Sequence, residues 1–336
     1  MLIRRREALV GLGASAALAA SPVRAQSLTK INVGALRFTS HAASFVAFER
    51  GYFRDEGLDV TFKFFQAAQP MAVAIASGDA DYAVTAISGG LVSLAEKGVA
   101  KVVGGALSEE KGIDGQKILA SAKAYEAGLT DPSKLDGRTW GVTQPGSSFH
   151  YMGDKIATAE KATLSFRPLQ KVGAIIGALK SGQIDAWSIV PHIAKPLDAG
   201  GSVKIIGNVA DYLPNYQVTT VFTSAQNARD ERAQTEAFLR AFSRGAQDFN
   251  AALVDNTSFG PASEEMVKLI HKYVYVDRPY EKAKPSIVNG AMRINARAGL
   301  NLTSVRDQIE WFKSKNYVKP TVTIDTLVDP TYVEAL

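Results

Sequence analysis

The segment Ala74-Ile75-Ala76-Ser77-Gly78-Asp79-Ala80-Asp81-Tyr82-Ala83 recurs as Ala178-Leu179-Lys180-Ser181-Gly182-Gln183-Ile184-Asp185-Ala186-Trp187. Each copy spells a helix that stops at Ser-Gly and a buried strand that an Asp opens three residues after the Gly. The offset of 104 residues exceeds a solenoid period of roughly 20 to 50 and suits one α/β lobe following another. Two such lobes predict a cleft between them, and a cleft predicts a ligand. The Asp pair itself reads as scaffold, because a carboxylate after a Gly stop can tie down backbone amides.

The first 25 residues read as an export address rather than as fold. Arg4-Arg5-Arg6 precedes an apolar run from Ala8 to Ala20, and Pro22-Val23-Arg24-Ala25 carries small or apolar residues at the cleavage positions. Such a run is shorter than the roughly 20 residues a membrane span needs, so cleavage after Ala25 is expected. The paired arginines also fit a twin-arginine signal, although Glu7-Ala8-Leu9 matches that pattern loosely. Gly11-Leu12-Gly13-Ala14-Ser15-Ala16 spells a dinucleotide fingerprint, but no strand precedes it.

Four arginines and one glutamate in that address supply +3 of the formal +5, leaving +2. The basic balance therefore does not argue for nucleic acid. With no cysteine in the chain, disulfides, thiolate catalysis, Cys-ligated zinc and a lipid-anchored cysteine are excluded. The four histidines, 41, 150, 192 and 271, lack metal-ligand spacing. No nucleophile elbow or phosphate loop occurs. The expectation is no metal, no cofactor and no catalytic residue.

Periodicity divides the remainder into strands and helices. Strands are expected at 31–38, 58–65, 81–87 and 99–106, with helices at 41–52, 70–78 and 90–97. The polar stretch 109–134 reads as edge structure and the first crossing between lobes. Strands at 138–143, 164–169, 185–190 and 203–206 alternate with helices at 147–159 and 172–180. A second crossing is expected near 213–221, followed by helices at 235–253, 263–272, 286–298 and 303–315 packed back on the first lobe. The organisation is an α/β fold of two doubly wound lobes: lobe one from 26–112 and 222–336, lobe two from 113–221. Such alternation predicts largely parallel sheets covered on both faces.

In open parallel sheets, ligands bind beyond the carboxyl ends of the strands. The loops there are Arg37-Phe38-Thr39-Ser40-His41, Ser88-Gly89-Gly90, Gln144-Pro145-Gly146-Ser147-Ser148 and Val190-Pro191-His192. The Ser88-Gly89 and Gly146-Ser147-Ser148 turns can present helix-start amides to an anion, or their serines can simply cap the helices. Arg37 can take a carboxylate or sulfonate in two-point fashion, or lie in solvent. Phe38, Phe149, Tyr151 and Trp187 are cleft walls or core. His41 and His192 either donate to ligand or are structural.

Phe45-Val46-Ala47-Phe48-Glu49-Arg50-Gly51-Tyr52-Phe53-Arg54-Asp55-Glu56-Gly57-Leu58-Asp59-Val60 resembles a segment of periplasmic substrate-binding proteins of ABC transporters. The similar branch handles nitrate, taurine, alkanesulfonates and thiamine-pyrimidine precursors. The Ser-Gly-x-x-Asp repeat, the Gly146-Ser147-Ser148 turn and Leu327-Val328-Asp329-Pro330-Thr331-Tyr332 look like it too. The resemblance implies a type II periplasmic-binding fold, two lobes joined by crossing strands and closing on a small organic anion. It also implies a periplasmic monomer that delivers solute to an inner-membrane ABC permease. Two alternatives remain at this point: an exported ligand sensor feeding a receptor, and an enzyme of the thiamine-pyrimidine synthase type.

Overall fold

The computed structural model describes residues 27–256 and 258–336; the export address lies outside them. The chain runs β1 (Thr29–Ala35), α1 (Ala42–Glu49), α2 (Tyr52–Asp55), β2 (Leu58–Phe64), α3 (Ala68–Ser77), β3 (Tyr82–Thr85), α4 (Gly89–Glu96) and β4 (Ala100–Gly105). It continues through β5 (Lys117–Ser121), α5 (Ala122–Glu126), β6 (Thr139–Val142), α6 (Ser148–Ala159), β7 (Ser165–Pro168), α7 (Val172–Lys180), β8 (Ala186–Ile189), α8 (Pro191–Ala199) and β9 (Val203–Asn208). It ends with β10 (Thr220–Ser224), α9 (Ala225–Asp230), α10 (Arg232–Leu253), α11 (Pro261–His271), α12 (Tyr280–Val288), α13 (Leu302–Ser314) and α14 (Ile324–Leu327).

These strands form two five-stranded sheets, ordered β2-β1-β3-β10-β4 and β7-β6-β8-β5-β9. The repeat occupies the same place in both. Gly78 and Gly182 adopt φ of +79° and +69°, the left-handed region glycine enters at no steric cost, and so end the helices before them. Asp81 Oδ2 accepts from the Asn32 amide at 2.7 Å, and Asp185 Oδ2 accepts from the Thr139 amide at 2.8 Å. Each carboxylate thus pins the neighbouring central strand, β1 or β6.

The sheets are mixed, not largely parallel. β1 pairs parallel with β2 and β3, and β6 with β7 and β8. By contrast, β10 is antiparallel to β3 and β4, and β5 to β8 and β9. Both odd strands follow directly from a crossing, which returns the chain in the opposite direction. The stretch 109–134 therefore holds an inner strand, β5, rather than edge structure alone. The crossing segments pair with each other: Ala106 donates to the Thr219 carbonyl at 3.0 Å and Glu109 to the Tyr216 carbonyl at 2.9 Å.

Two further expectations change. The helix expected at 286–298 is α12, at Tyr280–Val288, and the chain after it is irregular to Asn295 and then makes a single 3-10 turn at Ala296–Ala298. The C-terminal helices also touch both halves. α10 and α11 pack on α1, whereas α12 packs on α8. α13 reaches α6, where Tyr151 Oη donates to Asp307 at 2.5 Å and Trp311 Nε1 to Asp154 at 2.8 Å. On α7, Gly177 is exposed and nothing lies within 4 Å of the position a Cβ would take. Gly177→Ala should therefore stabilise the protein by about 0.5–1 kcal/mol through helix propensity. A denaturation midpoint that stays put or falls would contradict this.

Candidate ligand-binding site

The carboxyl-end loops of the two sheets meet face to face. The Gly89 amide donates to the Gly146 carbonyl at 2.9 Å, and the Val172 amide to the Gln66 carbonyl at 3.5 Å. Gln69 Oε1 accepts from Gln144 Nε2 at 3.0 Å and from the Ser88 hydroxyl at 3.3 Å. A Cβ on Gly89 or Gly146 would meet Tyr317 at 3.5 or 3.4 Å, so that ring covers the junction. These contacts describe a shut cleft.

Two connected spaces remain inside it. The inner one, of about 50 Å³, is lined by Ser40, His41 and Thr85 from one side and Thr143, Ser147 and Ser148 from the other. At roughly 10–15 Å³ per water, it holds a few solvent molecules or one small head group. The outer one, of about 590 Å³, lies among Arg37, Phe64 and Arg278 on one side and Ile176, Lys180 and His192 on the other. Leu36, Phe38 and Val172 line both spaces.

The histidines here are neutral, and their tautomers can be read from their partners. The Leu36 amide donates to His41 Nδ1 at 3.3 Å, which leaves the ring proton on Nε2. Tyr275 Oη donates to the His192 carbonyl at 2.5 Å and lies 2.9 Å from His192 Nδ1. Having spent its only proton, the hydroxyl accepts from Nδ1–H, so His192 Nε2 is a bare acceptor. That nitrogen is buried with no partner. Burial pushes both imidazoles down to about 3, the proximity of His41 adding to the effect at His192. Phe38 presents ring edges to both, with centroids 6.1 Å from His41 and 5.2 Å from His192.

The other residues of the four loops are placed as follows. Arg37 is exposed; its guanidinium lies 3.8 Å over the Phe64 ring and donates to the Tyr273 carbonyl at 3.1 Å. Thr39 is buried and its hydroxyl lacks a partner. Ser88 and Ser147 cap α4 and α6, accepting from the Leu91 and His150 amides at 3.2 and 3.4 Å. The Gly146 amide donates to His150 Nδ1 at 3.2 Å. Hence the two glycines meet each other across the cleft instead of offering amides to it. Pro191 opens α8, and Trp187 is fully buried on β8 against Phe149, centroids 5.2 Å apart. Neither Pro191 nor Trp187 lines the two spaces.

Sequence reasoning passed over Thr85, Thr143, Gln69 and, at the outer space, Lys180 and Arg278. The strand-end rule reaches the first three, since each adjoins a strand-to-helix loop. Lys180 lay hidden inside the repeat, and Arg278 follows α11 in a loop with no strand beside it.

The two sheets, their crossing segments and the shut cleft are the periplasmic-binding fold. Residues 38–252, well over half the chain, match the family described as NMT1/THI5 like, and the protein belongs to that family. Among curated proteins, none matches this sequence. A ligand-binding component of an ABC-type import system from Staphylococcus aureus, solved with zinc bound, superposes with a TM-score of 0.70 at 14% identity, over 90% of this chain and 97% of that one. The periplasmic aliphatic sulphonate binding protein SsuA from Escherichia coli gives 0.67 at 16%, over 91% and 94%. The periplasmic nitrate-binding protein NrtA from Synechocystis PCC 6803 gives 0.65 at 14%, over 91% and 87%.

Proposed function

We propose that the protein is the solute-binding subunit of an ABC importer, and that it captures a small organic anion between its lobes and releases it chemically unchanged to an inner-membrane permease. The observation that carries this reading is the shut cleft itself: loops from both sheets bond across an inner space lined by hydroxyls and the neutral His41, with the neutral His192 lining the outer space next to it. A ligand touching both sides stabilises closure, because half of its contacts exist only in the closed state. The likeness to an ABC import-system component from S. aureus, a sulphonate-binding protein from E. coli and a nitrate-binding protein from Synechocystis supports the same reading. In it, the first 25 residues are removed on export to the periplasm, lobe one comprises 26–112 and 222–336, and lobe two 113–221.

The test is to purify the exported protein, release its ligand with acid and identify it by mass spectrometry against the compound supplied. Recovery of a transformed compound would replace binding with catalysis. Arg37 should contact the anion. Because its guanidinium stays exposed, Arg37→Ala should cost the low end of a charged hydrogen bond, about 1.5 kcal/mol or tenfold in affinity. Titration calorimetry with the released compound measures it, and a change below twofold removes Arg37 from the site.

A further inference from the structure

Three cations, Arg37, Lys180 and Arg278, line the outer space, and no carboxylate lines it. None of the three takes part in an ion pair among the described residues. Two guanidiniums are set in place by aromatic faces, Arg37 over Phe64 at 3.8 Å and Arg278 over Tyr275 at 4.6 Å. Stacking orients the planar group and leaves its edge donors available. Lys180, from the opposite wall, adds a third charge that closure brings to the same space.

The inner space is the reverse. No acid, lysine or arginine lines it, and its one ionisable residue, His41, is neutral. Between the two spaces stand the apolar surfaces of Phe38 and Val172, with the unpartnered His192 Nε2 beside Phe38. A buried acceptor without a partner is costly unless a donor reaches it.

Accepting the cleft as a ligand site, we propose that the solute is an elongated amphipathic dianion. Its doubly charged end, two carboxylates or one phosphate monoester, lies outermost among Arg37, Lys180 and Arg278. Its apolar body lies along Phe38 and Val172, and its small inner end is uncharged and hydrogen-bonding. A doubly charged group can take donors from both walls of this space at once, which a singly charged group does less fully.

The test uses a matched series: phenyl phosphate and benzene-1,3-dicarboxylate as dianions, benzoate as monoanion and benzamide as neutral compound. Calorimetry at low ionic strength and pH 8 gives the affinities. The expected result is that both dianions bind at least tenfold more tightly than benzoate. The Lys180→Gln/Arg278→Gln double variant should bring both dianions to within about twofold of benzoate, Arg37 still separating the anions from benzamide, with an unchanged melting temperature because both side chains are exposed and outside any ion pair among the described residues. If phenyl phosphate alone shows the preference, the outer group is a phosphate; if the dicarboxylate alone does, it is a carboxylate pair. Benzoate binding as tightly as the dianions, no saturable dianion binding, or a preference that survives in the double variant would each overturn the inference. Should that happen while acid still releases an unchanged compound from the exported protein, the solute-binding reading stands. Release of no compound, or of a transformed one, counts against that reading instead.

Discussion

Gly290→Ala should lower the population of the closed form by roughly ten- to a hundredfold. Gly290 follows α12, where that helix meets the start of α8 from the other half of the molecule. A Cβ at this position would lie 2.1 Å from His192 Cβ, 2.4 Å from its Cα and 2.6 Å from its amide nitrogen. Two of those atoms belong to the backbone, so no rotamer change relieves the clash. Two further hydrogen bonds tie the same seam: Lys195 Nζ donates to the Asn289 carbonyl at 2.7 Å, and Tyr275 Oη to the His192 carbonyl. Overpacking a tight seam costs about 1–3 kcal/mol. When the seam can part instead, that cost falls on the closed state, and apparent affinity drops by the same factor. Small-angle scattering should show a larger radius of gyration, and the ligand an affinity lower by one to two decades. Gly260→Ala is the control, since nothing lies within 4 Å of its Cβ position. If Gly290→Ala keeps wild-type scattering and affinity, this seam does not report closure.

What could be read from the sequence was local or repeated. The Gly stops and Asp strand-starts were legible because each is a short signal appearing twice, and the structure gives both copies the same hydrogen bond. The antiparallel places of β5 and β10 were not. Lys117-Ile118-Leu119-Ala120-Ser121 looks like any short apolar run, and the direction of its neighbours depends on a crossing in which Glu109 pairs with Tyr216, 107 positions away. The misplaced α12 has a similar cause. Ala291, Met292 and Ile294 are buried at helix-like spacing, but the Ile294 backbone bonds to the Asn250 side chain at 2.7 and 3.1 Å. A single distant amide supplies what a helix would have, and no local pattern announces it. At the site, the loops carrying Arg37 to His41, Gln144 to Ser148 and Val190 to His192 follow from strand ends. Arg278 reaches Arg37 through the packing of the C-terminal helices on the first lobe, and Lys180 faces both only when the lobes close, so their partnership is a property of the tertiary fold.

Acid should unfold the protein steeply below about pH 4.5, after a shallower loss from pH 6.5. His41 and His192 are buried neutral, held near 3 against an ordinary 6.5. A base lowered on folding contributes stability that is full above its unfolded value and drains as pH falls toward its folded value. Two such groups lose together about 2.7 kcal/mol per pH unit, at 1.36 for each. Glu109 acts in the opposite direction. Burial raises its carboxyl from 4.5 to about 7, despite the Gln116 amide donated to it at 3.0 Å and the nearby Lys117. An acid raised on folding gains stability as pH falls from 7 to 4.5, at about 1.4 kcal/mol per unit, and nothing further below. Between 6.5 and 4.5 the Glu109 gain therefore cancels half of the histidine loss; below 4.5 the full histidine slope remains. Urea midpoints measured at intervals from pH 7.5 to 4 should show this break. Glu109→Gln should remove it, giving the steeper slope from pH 6.5 downward. A stability that stays flat between pH 6.5 and 4.5 in both proteins would mean that His41 and His192 gain protons without unfolding, and that the neutral pair is not what holds Leu36 and Tyr275 in place.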